Sequence, residues 1–414
     1  SVSPARSFSL MSSDARSTPS WVPPGPSPLA DGANVSHAEA SVSVQEMATQ
    51  AAALLPNAPD ASPASLGTAH GLVSVQADQT HYSDGFALFL GMRHSCAVAV
   101  CPSERSLLTA ADGATYALAP DADLPPWAAA LRNVVAACSD ATPRSTQWHL
   151  GVTSALPASC GDSTVAALVM ALLRAFAEHD DAPAFPEVAA LAECIGTAYQ
   201  RPFSVAPLVA AAAASPGDFI LVDTATHEHI AVPVAEATAL EWAVLDVETP
   251  PLHPPAFYQE KQAQAATALT HLRTHSFSDV AAFRDLEHRD LERASRAVPP
   301  ALRPVVRHLV TENRRVQRHV AVLRRGDGQM VGALLRMSHA SLRTHWRSTS
   351  AAVDTLVAET EAPSMDGLYG ACMTERDGAI LLVGRPGRLG DGLAHLHDVS
   401  VAQHGRPLRV VRPL

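Results

Sequence analysis

Long apolar runs are absent from this sequence of 414 residues, and so is any excess of basic residues. No apolar stretch reaches the roughly 18 residues that a membrane-spanning helix needs, so we expect a soluble protein without membrane contacts. The formal net charge of −11 argues against extensive binding to duplex nucleic acid, since phosphate contacts require clustered lysine and arginine. The chain is long enough to bury the core of two domains or of one large domain.

Cysteine is also scarce. The six cysteines are scattered and contain no CxxC pair, which argues against both a disulfide framework and a zinc site. We therefore expect reduced, mostly buried thiols, no bound metal, and a reducing intracellular compartment. The cytoplasm and the mitochondrial matrix both fit this description.

Residues 1–66 are predicted to be an N-terminal extension. Residues 1–36 are rich in serine, proline and alanine, and such a composition cannot bury enough apolar area to fold alone. A disordered tail is the favoured interpretation. Arg6 and Arg16 among serines, with few acidic residues, leave a mitochondrial transit segment as the alternative. The stretch VQEMATQAAALL (44–55) predicts a short helix.

From residue 67 onward the pattern predicts strands followed by helices. HGLVSVQA, FALFLGM, SCAVAVC and QWHLGVTSAL have the composition of strands, and DFILVDTATHEHIAVPV that of a hairpin. STVAALVMALLRAFAEH, PEVAALAECIGTAYQ and most of 260–361 show helical character, before GAILLVGRP and PLRVVRPL return to strand. This order predicts an α+β fold of two domains.

The segment between positions 312 and 374 carries many fixed spacings of one known family, and it resembles the C-terminal half of a galactokinase. The matching residues are Glu312, Gly326, Asp327, Ser338, His339, Ser341, Leu342, Ser350, Asp354, Leu356, Val357, Tyr369, Gly370, Met373 and Thr374. Upstream, GLVSVQADQTHYSDGFAL is similar to the galactokinase motif GRVNLIGEHTDYNGGFVL.

This resemblance covers roughly residues 67–384 and implies the two-domain fold of the GHMP kinase superfamily. That superfamily takes its name from the galacto-, homoserine, mevalonate and phosphomevalonate kinases. We expect an N-terminal domain over 67–205, with a mixed sheet backed by STVAALVMALLRAF. A helix-rich C-terminal domain with an antiparallel sheet would cover 206–414, the helix of Ser338 and His339 packed inside it.

The resemblance also implies a remnant of a sugar-binding loop. Where galactokinases have Glu, His and Asp facing the sugar, this sequence has Asp78, Gln79 and His81, and Tyr82 is retained. Tyr258 falls on a family tyrosine that faces the sugar. The loop keeps its shape and loses the hydrogen-bonding groups that discriminate sugar hydroxyls. For both tyrosines, packing under a loop is the alternative, and it is slightly favoured for Tyr82.

Phosphoryl transfer needs a positive charge on the phosphate and a group that orients the attacking hydroxyl. Galactokinases supply an Arg in the first motif and an Asp in a CGIMDQ segment, and the aligned residues here are Leu72 and Pro207. Neither side chain can perform this chemistry, and 200–217 contains no acidic residue. No catalytic residue is therefore predicted.

The phosphate-binding loop of the family, PLGxGLSSSA before an apolar helix, is represented here by LPASCGDSTVAAL. Gly161, Ser163 and Thr164 remain, whereas Asp162 would place a repelling carboxylate where an anion should bind. An N-cap role for Asp162 or Ser163 is the favoured structural interpretation. The third, glycine-rich motif of the family has become MTERDGAI.

Four altered elements favour a galactokinase-like pseudoenzyme that acts as a non-catalytic structural, scaffold or regulatory subunit of a protein assembly. Such a protein is expected to need no cofactor and to have a protein partner. The alternative is a divergent sugar kinase with a rebuilt active site, which would use ATP and Mg²⁺.

Three polar clusters lie outside the motifs that resemble galactokinase active-site motifs. For the sequences HEH at 227–229 and HLHD at 395–398, an exposed polar turn is favoured over a metal site. The basic stretch RRVQRHVAVLRR offers contacts to RNA or to an acidic partner. A solvated face whose arginines pair with the acidic segment FRDLEHRDLE is the favoured interpretation.

Overall fold

A computed structural model describes residues 42–56, 64–77, 79–139, 147–157, 160–178, 185–235, 240–247, 253–362, 364–374 and 378–414. The predicted N-terminal tail, Asp78 and residues 375–377 of the third motif lie outside these stretches, so the expectations for them stay predictions. The predicted helix at 44–55 is confirmed as α1 (Val44–Ala53), which begins with a capping box formed by Ser43 and Glu46.

The strands of the described residues are β1 (Ser65–Gln76), β2 (Phe86–Ser103), β3 (Leu107–Ala110), β4 (Thr115–Ala117), β5 (Gln147–Ser154), β6 (Phe219–Asp223), β7 (Glu228–Val232), β8 (Glu241–Asp246), β9 (Leu368–Thr374), β10 (Ala379–Gly384) and β11 (Arg409–Val411). The further helices are α2 (Pro126–Ser139), α3 (Gly161–Ala177), α4 (Val188–Tyr199), α5 (Val205–Ala213), α6 (Pro255–His275), α7 (Leu291–Ala297), α8 (Arg303–Arg325), α9 (Gly328–Ser341), α10 (Ala351–Glu359) and α11 (Leu389–His404).

The first sheet is mixed and has the order β4-β3-β5-β2-β6-β7, with β1 paired to β2. β3 and β5 run parallel, and the other described pairs of this sheet are antiparallel. FALFLGM and SCAVAVC, predicted as two strands, form one continuous strand, β2. The apolar helix α3 packs on β1 and β2 and fills the core beneath the sheet, as predicted.

The second sheet is antiparallel, with the order β11-β8-β10-β9, and packs against the helices of the C-terminal part. Ser338 and His339 on α9 are buried there, which confirms their predicted position. His339 Nε2 lies 3.2 Å from Asp354 Oδ1 on α10. Burial lowers the pKa of His339, and the neighbouring Asp354 carboxylate opposes that shift.

The first sheet continues past the predicted domain boundary at 205, because β6 and β7 follow that position and still pair with β2. The division into two domains is not itself tested by strand pairing and stays a prediction. The β6–β7 hairpin was expected from its sequence. The helices α2, α5 and α11 were not predicted.

The thiols are as expected from the sequence. Five of the six cysteines are buried, Cys194 is half-buried, and all six are free. Burial raises the pKa of Cys96 and of Cys138 to about 12, so both side chains stay neutral thiols at physiological pH. Among the described helices, none combines the length and the apolar character needed to cross a bilayer.

Candidate substrate and phosphate site

The loop between β1 and β2 is held at both flanks by two consecutive residues of α8. Gln76, the last residue of β1, donates a hydrogen bond to Oε1 of Glu312. The backbone N–H of Phe86, the first residue of β2, donates to Oδ1 of Asn313 at 3.0 Å. One turn of a helix from the C-terminal half thus fixes where the loop begins and ends.

Two of the residues predicted to contact the sugar, Gln79 and His81, contribute instead to the internal structure of this loop. Gln79 is half-buried and adopts a left-handed backbone conformation with φ 68°. The ring nitrogen Nδ1 of His81 hydrogen-bonds the carbonyl of Ala77. The His81 carbonyl in turn accepts a bond from Ser204 Oγ at 3.0 Å, which ties the loop to the start of α5.

Tyr82 and Asp162 come together from two different predicted motifs. The Tyr82 hydroxyl donates to Oδ2 of Asp162 at 3.1 Å, so packing alone is not its role. Asp162 lies in the first turn of α3, and only 5% of its side chain is exposed. The loop between β1 and β2 and the first turn of α3 are therefore joined by a hydrogen bond.

Asp162 also forms an ion pair that its sequence context did not reveal. Arg201, in the loop after α4, donates from Nη2 to Oδ1 at 2.5 Å and from Nη1 to Oδ2 at 3.2 Å. Such two-pronged contacts are the strong form of the arginine–carboxylate interaction. Asp162 therefore has its own counter-charge, and its expected repulsion of a bound anion stays a prediction.

The prediction of an N-cap role is wrong. The N-cap of α3 is Cys160, whose side chain makes no capping hydrogen bond. Asp162 and Ser163 are the second and third residues of the helix. Thr164 Oγ1 donates to the carbonyl of Pro157 at 2.9 Å, which holds the start of the helix against Pro157. Gly161 has φ 31°, a conformation that favours glycine, and is the first residue of α3.

Leu72 and Pro207 are both buried. Leu72 on β1 is fully buried in the core under the first sheet. Pro207 is buried in the first turn of α5, three residues after the N-cap Ser204. A cation or a carboxylate at either position would have to be accommodated away from water, at a cost of several kcal/mol per unpaired ion by general estimates.

Tyr258, the remaining predicted residue, lies in the first turn of α6 and is 6% exposed. Its ring packs edge-on against Phe257, with centroids 5.3 Å apart, and lies 6.3 Å from the His253 ring. These contacts fit the packing alternative for Tyr258.

The carboxylate of Glu312 is the centre of a buried polar network. Its Oε1 accepts bonds from Gln76 and, at 2.5 Å, from Ser338 Oγ on α9, while Oε2 accepts from Arg315. Glu312 is completely buried, and burial raises the pKa of its carboxyl group against the opposing effects of Arg315 and Ser338. This network joins β1, α8 and α9.

The two histidine clusters lie apart from this network. Residues 227–229 are exposed where β7 begins, as favoured from the sequence. The exposed turn predicted at 395–398 is wrong, because these residues lie within α11 and Leu396 is buried. His395 Nε2 lies 3.2 Å from Glu359 Oε2, and His397 Nδ1 accepts a bond from the N–H of Leu408. Within the described stretches, no three His, Cys, Asp or Glu side chains are arranged to hold a metal ion.

Comparison with known proteins finds similar sequences and similar folds, although no protein-family model matches the chain. It is similar to the galactokinase of Streptomyces coelicolor, with 28% identity over 331 residues, 76% of this chain and 82% of that protein. Its fold is similar to that of Lactococcus lactis galactokinase complexed with galactose, with TM-score 0.72 and 17% identity over 89% of this chain and 96% of that one. The chain thus resembles galactokinases in sequence and has the fold of a GHMP kinase.

A second solved structure shares the fold. The mevalonate kinase of Methanococcus jannaschii superposes with TM-score 0.52 and 10% identity over 84% of this galactokinase-like chain and 98% of that protein. The predicted family resemblance and the predicted α+β GHMP kinase fold are thus confirmed. The named curated relative is bacterial and gives no support to the mitochondrial alternative.

Arg201 was missed from the sequence. It precedes Pro202 in a loop and belongs to no recognised motif, and its partner is 39 residues away. The one available signal was indirect: a buried carboxylate in a helix first turn requires a cation or several donors nearby. Gln76 was missed for the same reason, since its partner Glu312 is 236 residues away.

Proposed function

We propose that this galactokinase-like protein does not transfer phosphate and acts instead through binding another protein, as a scaffold or regulatory subunit. The observation that carries the proposal is the ion pair of Asp162 with Arg201 at the start of α3. A helix N-terminus attracts anions through its free N–H groups and its dipole. Here the Asp162 carboxylate already lies in the first turn of α3, and Arg201 supplies its counter-charge.

The catalytic positions support the same proposal. A galactokinase needs a cation and a carboxylate there, whereas here both positions hold buried, uncharged residues, Leu72 and Pro207. The loop residues Gln79 and His81 serve the fold of the loop through backbone conformation and an internal hydrogen bond. What the loop keeps is its fixed shape, which suits recognition by a partner as well as by a sugar.

A divergent ATP-dependent sugar kinase is the second candidate, and Arg201 favours it. Its guanidinium stands beside the first turn of α3, where a phosphate would need a positive charge. In that case ATP and Mg²⁺ would be required, and the ligand would have to displace Asp162 from Arg201. Under the favoured proposal we expect no cofactor.

We expect the wild-type protein to release no ADP from ATP in response to galactose or to a panel of other sugars. Leu72→Arg, Pro207→Asp and the double variant should also stay at background, because catalytic groups that act as a unit restore little when others are missing. ADP release is measured by a coupled assay, with an active galactokinase as positive control. Thermal melts of each variant establish that it is folded.

One set of results would establish the second candidate, the sugar kinase. Sugar-dependent ADP release by the wild type, lost in His81→Ala and Arg201→Ala and retained in the distant Arg105→Ala, would establish the rebuilt kinase and refute the favoured proposal. Arg105 is exposed in the turn after β2, so its replacement tests the same change of residue away from the site.

A further inference from the structure

A surface cavity of about 330 Å³ lies along one side of α8. Its lining residues are Glu287, His288, Arg314, Gln317, Arg318 and Ala321. The cavity is thus bordered by one basic helix and by the short helical turn His288–Asp290 that crosses next to it.

The helix α8 is strongly basic, although the protein as a whole has a net charge of −11. The helix holds seven arginines and a single acidic residue, Glu312, which is buried and already paired with Arg315. Arg314, Arg318 and Arg325 follow one another at spacings of four and seven residues, so they share one face of the helix.

The sequence predicted that the neighbouring acidic segment 283–292 neutralises these arginines. In the continuous described stretch 253–362, this holds for Arg307, whose Nη2 lies 2.7 Å from Glu292 Oε1. The other acids of the segment are engaged elsewhere. Asp285 accepts the N–H groups of Ala281 and Ala282, Glu287 pairs with Arg289 at 3.0 Å, and Asp290 accepts the N–H of Glu287.

The two arginines that line the cavity differ in how firmly their side chains are held. Arg314 is fixed, since it donates to Gln317 Oε1 at 3.0 Å and to the carbonyl of Leu286 at 3.2 Å. Both of these acceptors belong to neutral groups, so its charge is not neutralised by them. Arg318 is exposed one helical turn further on. Together they present two positive charges about 6 Å apart along the helix axis.

We propose that this face of α8 binds an extended acidic segment of a partner protein. Alternate residues of an extended chain are about 6.8 Å apart, which matches the rise between Arg314 and Arg318. Guanidinium groups pair with carboxylates through two parallel hydrogen bonds, and the cavity is large enough for one or two acidic side chains. The overall negative charge disfavours RNA, whose long phosphate chain would extend beyond the basic face.

This inference rests on the proposed non-catalytic function, because it names the kind of partner that such a function requires. The test uses the full chain without nucleotide, so its outcome is independent of whether ADP is released. The probe is a fluorescein-labelled peptide of about ten residues with glutamate at alternate positions, long enough to span the arginine face. Fluorescence anisotropy measures its Kd at low and at high salt.

We expect Arg318→Glu to weaken peptide binding by at least about tenfold, and raised salt to weaken binding to the wild type. Arg105→Glu is the matched control, since it changes the net charge equally at an exposed site in the turn after β2. It should leave the Kd within about twofold, as expected for a distant site. Thermal melts show that both variants fold.

Three outcomes would overturn the proposal. The first is no measurable binding of the peptide by the wild type. The second is an equal loss in Arg318→Glu and Arg105→Glu, which would mean that net charge alone attracts the peptide. The third is tighter binding of a labelled single-stranded RNA of equal charge, which would assign the face to nucleic acid.

Discussion

Replacing Glu312 by leucine is expected to destabilise the protein by about 3–5 kcal/mol, because the change leaves a buried guanidinium without its counter-charge. The Arg315 side chain is 10% exposed, and Glu312 is the acidic residue that pairs with it. The same change removes the acceptor for Gln76 and for Ser338 Oγ. The measurement is urea unfolding followed by circular dichroism.

The matched control for this prediction is the double variant Glu312→Leu with Arg315→Met. It removes both charges, and well-packed apolar replacements of a buried ion pair are often neutral or stabilising. We therefore expect the double variant to be more stable than Glu312→Leu alone. A loss below about 1 kcal/mol for Glu312→Leu, the size of an ordinary surface ion pair, would contradict the structural role given to this network.

Gly332→Ala is expected to destabilise the protein by about 3 kcal/mol, although alanine normally favours a helix over glycine by about 1 kcal/mol. A Cβ atom at Gly332 would lie 2.1 Å from the Tyr369 carbonyl oxygen and 2.7 Å from the Gly370 nitrogen. These are backbone atoms of β9, so α9 would have to move away from the second sheet. Thermal and urea unfolding both report the change.

Gly392→Ala in α11 is the control for Gly332→Ala. The atoms nearest to its Cβ are the ends of two flexible side chains, Leu368 Cδ1 at 2.8 Å and Met365 Cε at 3.3 Å. Those ends can rotate away, so the cost should be clearly smaller than at Gly332. Equal losses at the two glycines would show that the close approach of α9 and β9 does not limit this part of the fold.

The elements that could be predicted are those whose periodicity is strong and uninterrupted. The apolar α3, the long α8 and the β6–β7 hairpin all carried their pattern in the local sequence. By contrast, α11 contains Gly390 and Gly392, which lower helix propensity, and tertiary packing against Met365 and Leu368 decides its conformation.

The sequence could locate residues of the candidate site, but it could not show which other residues they contact. The family spacing located Leu72, Asp162 and Pro207, yet the chemistry of Asp162 depends on Arg201 and Tyr82, which reach it from other elements. Pairings across tens or hundreds of residues leave no periodic signal. The partner of Asp162 could not be identified from the sequence, because a buried charge selects its partner in space.

The central claim, that the phosphate site is occupied by the chain's own ion pair, is tested most directly by calorimetric titration of the wild-type protein with ATP and Mg²⁺. We predict no saturable binding up to millimolar nucleotide. A parallel melting experiment should show no rise in Tm, whereas a ligand at ~100 times its Kd stabilises a protein by about 2.7 kcal/mol. Saturable binding with a micromolar Kd that is lost in Arg201→Ala would contradict the claim and establish a working nucleotide site.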